Sequence, residues 1–126
     1  MRFASLVAMG FHFAGTEAHS TTVGEAIAFC EGVFLDQTTW QGAAHASHCL
    51  GVTDGVARIM TLNCFSAGDG AKPEVYLSAE PPPSTKAAVR AFLTWADDNP
   101  QEWDEKFNEG VMQSMALTFP CMALGK

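Results

Sequence analysis

Basic side chains are scarce: 7 Lys and Arg stand against 14 Asp and Glu in 126 residues, a formal net charge of −7. A chain this acidic is a poor ligand for nucleic acid or for an anionic membrane surface, because both are polyanions. A basic protein or a cationic surface suits it better. No apolar run is long enough to span a bilayer. No Cys-x-x-Cys pair occurs, which argues against a zinc knuckle and against a thioredoxin-type redox site. Also absent are the glycine-rich phosphate cradles, a nucleophile elbow and the local signatures of cysteine enzymes. There are no internal repeats or low-complexity tracts, and the strand signal is weak. Nothing reads as an active site, so no catalytic residue, cofactor or metal is expected.

What is present is core-forming material. Hydrophobic residues make up 48% and charged residues 17% of the chain, enough for one domain with a real core. Met1 and Arg2 lead into a short apolar run, Phe3 to Phe13, and Thr16 and Ala18 place small residues two apart before a possible cleavage point. Residues 1–18 are therefore expected to be a secretory signal peptide, with an N-terminal helix docked on the core as the alternative, and residues 19–126 a single helical domain.

The four cysteines are Cys30, Cys49, Cys64 and Cys121. Two disulfides are expected, and four cysteines allow three pairings. Pairing sequence neighbours across antiparallel helices gives Cys30–Cys49 and Cys64–Cys121. The competing expectation is four buried free thiols in a reducing compartment.

Four helical stretches are legible. Thr22 and Glu25 form a capping box, followed by Val23, Ile27, Cys30 and Phe34 on one face. A second helix runs from about Thr39 to Leu62, with Cys49, Val52, Val56, Ile59 and Met60 as its apolar stripe. Gly51 and Gly55 lie one turn apart on it, and their cost there predicts close approach of another helix. The third follows Pro81-Pro82-Pro83 with Ser84 or Thr85 as N-cap, buries Val89, Phe92, Leu93 and Ala96, and ends at Asn99-Pro100. The fourth is expected to start at once, with Asn99 as cap and Pro100 at its first position, presenting Trp103, Phe107, Val111 and Met115 until Pro120 stops it. Between Cys64 and Ser84 lies a long connector in which Val75-Tyr76-Leu77 is a candidate extended piece. The expected class is all-α: a small bundle of four to five helices cross-linked by two disulfides.

Candidate chemistry is thin. His45 and His48 share a helix face beside Cys49, but no third ligand completes a metal site at a recognisable spacing. Glu102, Asp104, Glu105 and Glu109 read as the solvated face of an amphipathic helix rather than as an acid–base pair.

One resemblance stands beside this reading. The segment Cys49-Leu50-Gly51-Val52-Thr53-Asp54-Gly55-Val56 resembles a motif of cysteine, x, glycine, aromatic, aliphatic, x, glycine, valine. With Asn99-Pro100, Trp103 and the ending Ala116-Leu117-Thr118-Phe119-Pro120-Cys121, it is similar to the Rap/Tai immunity proteins, over roughly Thr22 to Cys121. The sequence departs from that pattern in having Val52 at the aromatic position, Arg58 where an acidic residue is common, and no cysteine-x-proline after Cys64. The resemblance implies a small, exported, periplasmic, helical and often homodimeric protein without catalysis of its own. Such proteins bind a type VI-secreted peptidoglycan amidase, a cysteine–histidine enzyme, and occlude its cleft.

Two surfaces are candidates for partner binding. The first is the connector, with Asp69, Glu74, Tyr76 and Glu80, where a tyrosine anchor and steering carboxylates coincide. The second is the acidic turn, with Asp97, Asp98, Glu102 and Asp104. The alternatives to an immunity protein are a periplasmic adaptor or stress protein on the same scaffold, or a small enzyme using His45, His48 and a free Cys49.

Overall fold

A computed structural model of the chain describes residues 19–66 and 78–122. The expected signal peptide at residues 1–18 and the Val75-Tyr76-Leu77 piece lie outside the described residues. The four helices are α1 (Val23–Glu31), α2 (Trp40–Ser66), α3 (Thr85–Asp98) and α4 (Phe107–Thr118), with 3₁₀ turns at Gly32–Phe34 and Pro100–Glu102. No strand occurs among the described residues, only two isolated bridges, Thr22 with Lys106 and Ala79 with Pro120. α2 is the central element and packs on each of the other three helices.

Local capping chemistry sets where α1 and α3 begin. Glu25 N–H donates to Thr22 Oγ1 at 3.3 Å, and Thr22 N–H donates to Glu25 Oε2 at 2.8 Å. This reciprocal pair holds the Glu25 carboxyl below its ordinary value of 4.5, chiefly through the Thr22 backbone N–H and then its hydroxyl. A carboxyl lowered on folding contributes stability that is present above pH 4.5 and lost as pH falls through the folded value. Glu25→Gln should therefore be less stable than the parent at neutral pH, and the gap in urea midpoint should close as the pH drops below 4.5. A gap independent of pH would refute the assignment. On α3, Ala87 N–H donates to the Ser84 hydroxyl at 3.1 Å, which selects Ser84 as the cap.

Cys30 pairs with Cys49 and Cys64 with Cys121, and no cysteine is free. Two disulfides suit an oxidising, non-cytoplasmic environment. No described helix is long and apolar enough to cross a membrane.

Three expectations are corrected. On α2 the buried line is Ala46, Cys49, Thr53, Ala57, Met60 and Cys64, whereas Val52 and Val56 are only partly buried and Ile59 is 61% exposed. A helix touching three others buries mostly small residues along its central line, with the unbranched Met60 as the one long side chain, and the bulkier β-branched side chains are turned to the flanks. On α1, Phe34 has left the buried face, because the helix ends at Glu31; the Arg90 guanidinium covers its ring at 3.9 Å. On α4, the start moves from Asn99 to Phe107. The carbonyls of Trp103 and Glu105 accept the N–H groups of Gly24 at 2.9 Å and Val23 at 2.8 Å, capping α1 from a distance. Carbonyls turned outward for that purpose cannot close the i to i+4 bonds of a helix. Trp103 therefore lies off α4, while Phe107, Val111 and Met115 line its buried face as expected.

The glycine reading is corrected as well. Among the described residues, a Cβ at Gly51 or Gly55 would meet nothing within 4 Å, so no described helix approaches there. The close approach is at Gly110 of α4, where a Cβ would lie 2.7 Å from Val23 Cγ2 and 3.0 Å from Trp95 Cζ3. Alanine at Gly51 or Gly55 should thus stabilise by about 1 kcal/mol each through helix propensity. Gly110→Ala should destabilise, since overpacking costs about 1–3 kcal/mol and outweighs that gain. Urea unfolding of the three variants checks the opposite signs.

Candidate interaction surface

The acidic turn is a built structure. At the end of α3, side chains from the turn reach back to two carbonyls: Asn99 Nδ2 donates to Trp95 O at 2.8 Å, and Trp103 Nε1 donates at 2.9 Å to Ala96 O, which also accepts Asn99 N–H. Gln101 Nε2 donates to Asn99 Oδ1 at 3.1 Å and secures the bend. On this frame Asp97, Asp98 and Asp104 are exposed and Glu102 is partly exposed. Asp97 and Asp98 occupy the last turn of α3, where the negative end of the helix dipole disfavours carboxylates, and no basic residue shares that turn. The only ion pair among the described residues joins Arg58 to Asp54, so none of these four carboxylates is neutralised by one. The turn holds negative charge at some cost to α3 and offers it to solvent.

Glu80 stands apart from it. Its backbone N–H donates to Phe119 O at 2.9 Å, and its carboxylate accepts Met122 N–H at 3.0 Å. It is partly buried and engaged in tying the C-terminal segment to the connector's end. Asp69, Glu74 and Tyr76 lie outside the described residues. The four turn carboxylates thus share one solvent-facing segment, residues 97–104, while Glu80 has an internal task.

The histidines do not converge on Cys49. The His45 ring stacks on Phe29 with centroids 4.1 Å apart, and His48 meets the rings of Phe29 and Phe107 at 6.1 and 6.2 Å. Cys49 is buried and bonded to Cys30, so the thiol needed by the enzyme alternative does not exist in the oxidised chain. Cys64, Glu80 and Cys121 bring their side-chain heteroatoms within 4.8 Å of one another. The two sulfurs are bonded to each other and offer no thiolate to a cation.

A groove of about 450 Å³ runs between the C-terminal half of α2 and the start of α3. Leu62, Phe65, Pro81 and Pro82 give it an apolar wall, and Leu62 and Phe65 are 63% and 71% exposed. At its other end Arg58 Nε donates to Asp54 Oδ2 at 2.7 Å and Thr85 Oγ1 donates to Asp54 Oδ1 at 3.2 Å. The Arg58 hydrogen bond is the main reason that the Asp54 carboxyl is held below its ordinary value. Sequence reading missed this groove, because its walls come from segments some 20 residues apart that only the bundle brings together.

No protein-family model matches this chain, no curated protein matches it, and no solved structure matches it.

Proposed function

We propose that this chain is an immunity-type inhibitor: exported to the periplasm, it binds a peptidoglycan amidase and covers that enzyme's cysteine–histidine cleft. The observation that supports this reading most directly is the fastening of the Ala116–Cys121 ending. Cys121 is bonded to Cys64 at the end of α2, and Phe119 O accepts Glu80 N–H. The residues that carry the resemblance to the Rap/Tai proteins thus hold the end of the bundle together. The net charge of −7 and the carboxylates of the turn at Asp97, Asp98, Glu102 and Asp104 suit a basic partner surface. A homodimer belongs to the same reading. In it the protein performs no chemistry and works by occupying the cleft.

The test uses the oxidised full chain and a panel of type VI-secreted peptidoglycan amidases of the cysteine–histidine class. A stoichiometric complex that abolishes peptidoglycan cleavage is the expected result. Binding to none of them by chain whose fold is verified by circular dichroism would overturn the reading.

A further inference from the structure

The two disulfides are protected in different ways. Cys30 and Cys49 are both fully buried, and the Thr53 hydroxyl lies 3.9 Å from the Cys49 sulfur. Burial alone keeps solvent thiols from that bridge while the bundle is folded. Cys64 is 1% exposed, but Cys121, beyond the end of α4, is partly exposed. Thiol–disulfide exchange needs access to one sulfur only, because the attacked atom forms the new S–S bond and the other departs as thiolate. The Cys64–Cys121 bridge is therefore open to attack on its Cys121 side. It is also the bridge that closes the longer loop, 57 residues, and so the one whose loss costs the fold more.

A carboxylate stands against this bridge. Glu80 Oε1 lies 3.7 Å from Cys64 Sγ, and the carboxylate and both sulfurs fall within 4.8 Å of one another. A sulfur in a disulfide carries no hydrogen, so this contact is not a hydrogen bond. Glu80 is held in place by the backbone: its N–H donates to Phe119 O at 2.9 Å, and Oε1 accepts Met122 N–H at 3.0 Å. A neutral amide would accept Met122 N–H as well, so that bond does not account for the charge. Among the described residues the one ion pair joins Arg58 to Asp54, and no cation pairs with Glu80.

A negative charge at that distance acts on exchange twice. It repels an approaching thiolate, and it repels the charge that gathers on Cys64 Sγ as the S–S bond breaks. The departing sulfur is buried, where salt screens the repulsion least.

We infer that Glu80 is an electrostatic guard on the Cys64–Cys121 bridge, slowing its exchange with small anionic thiols. In the guarded reaction one thiolate attacks Cys121 Sγ, forming a mixed disulfide, and Cys64 departs as thiolate and takes up a proton. A second thiolate attacks the sulfur of the first thiol and releases Cys121, so two thiols are oxidised to one disulfide as the bridge is reduced. The guard does not depend on which partner the domain binds.

The test is the rate at which the bridge is reduced in the oxidised full chain, read by alkylation of Cys121 and peptide mass mapping. Two thiols are compared: glutathione, which is anionic, and cysteamine, whose ammonium offsets its thiolate. Glu80→Gln keeps an acceptor for Met122 N–H and removes the charge. Relative to the parent, it should be reduced about tenfold faster by glutathione and about threefold faster by cysteamine. Asp36→Asn removes one charge from the opposite end of α2 and should leave both rates within about twofold, which separates a local effect from net charge. Equal acceleration with both thiols would mean that Glu80→Gln loosens the corner, and no acceleration would mean that the carboxylate does not act on the bridge; either result overturns the inference. The parent supplies an arm that needs no variant. Raising the ionic strength from about 0.02 M to about 0.5 M should speed its reduction by glutathione about threefold and by cysteamine less. A glutathione rate that ignores salt would also overturn the guard.

Discussion

Replacing Cys64 and Cys121 together by alanine should lower the stability of the domain by about 4 kcal/mol, and replacing Cys30 and Cys49 by about 3 kcal/mol. The order follows from loop size: the first bridge closes 57 residues and the second 19. A longer closed loop removes more freedom from the unfolded chain, and the gain grows with the logarithm of its length. Native-state contacts add to the larger effect. Cys121 follows α4 directly, and the same corner holds the Ala79–Pro120 bridge, the bond from Ala79 N–H to Met60 O at 3.3 Å and the Met122 N–H on Glu80. Freeing Cys121 therefore loosens a corner as well as a loop. Both bridges together amount to about 7 kcal/mol, comparable to the whole stability of a small domain, ~5–15 kcal/mol. Dithiothreitol should accordingly unfold the chain at 37 °C or bring its urea midpoint close to zero. Urea curves for the two double variants decide the point. Equal losses, or a larger loss at Cys30–Cys49, would mean that local packing rather than chain closure sets the energy.

How far the sequence reaches depends on where each structure draws its hydrogen bonds. The starts of α1 and α3 were legible because Thr22, Glu25 and Ser84 satisfy backbone groups within three residues of themselves. Both disulfides join sequence neighbours, the pairing that antiparallel succession suggested among the three that four cysteines allow. The start of α4 was not legible. Asn99-Pro100 is a sound local signal, and it is spent on a 3₁₀ turn because α1, some 80 residues earlier, takes the carbonyls of Trp103 and Glu105. The face of α2 was read correctly at Cys49 and Met60 and misread at Val52, Val56 and Ile59, because bulk was followed where a helix contacted on three sides buries mostly small residues. Of the candidate surfaces, the acidic turn was readable as a run of carboxylates. The groove between α2 and α3 was not, since Leu62, Phe65, Pro81 and Pro82 come from segments that only the bundle brings together.

Phe92→Ala should cost about 4 kcal/mol, within the ~3–5 kcal/mol range for deleting a buried phenylalanine. Phe92 is fully buried on α3, with its ring 5.0 Å from that of Phe107 in an edge contact and 6.4 Å from that of Trp95. Its Cε2 lies 3.3 Å from where a Cβ would stand at Gly110, so α3 and α4 meet nearly backbone to ring. The cavity cannot close cheaply. α4 is fixed at its start by Phe107 N–H on Thr21 O at 2.9 Å, and the segment beyond its end by the Cys64–Cys121 bridge. Leu117→Ala serves as the comparison: Leu117 is 72% exposed and its loss should stay within about 0.5 kcal/mol. A Phe92→Ala loss no larger than that would refute the packing of α3 on α4.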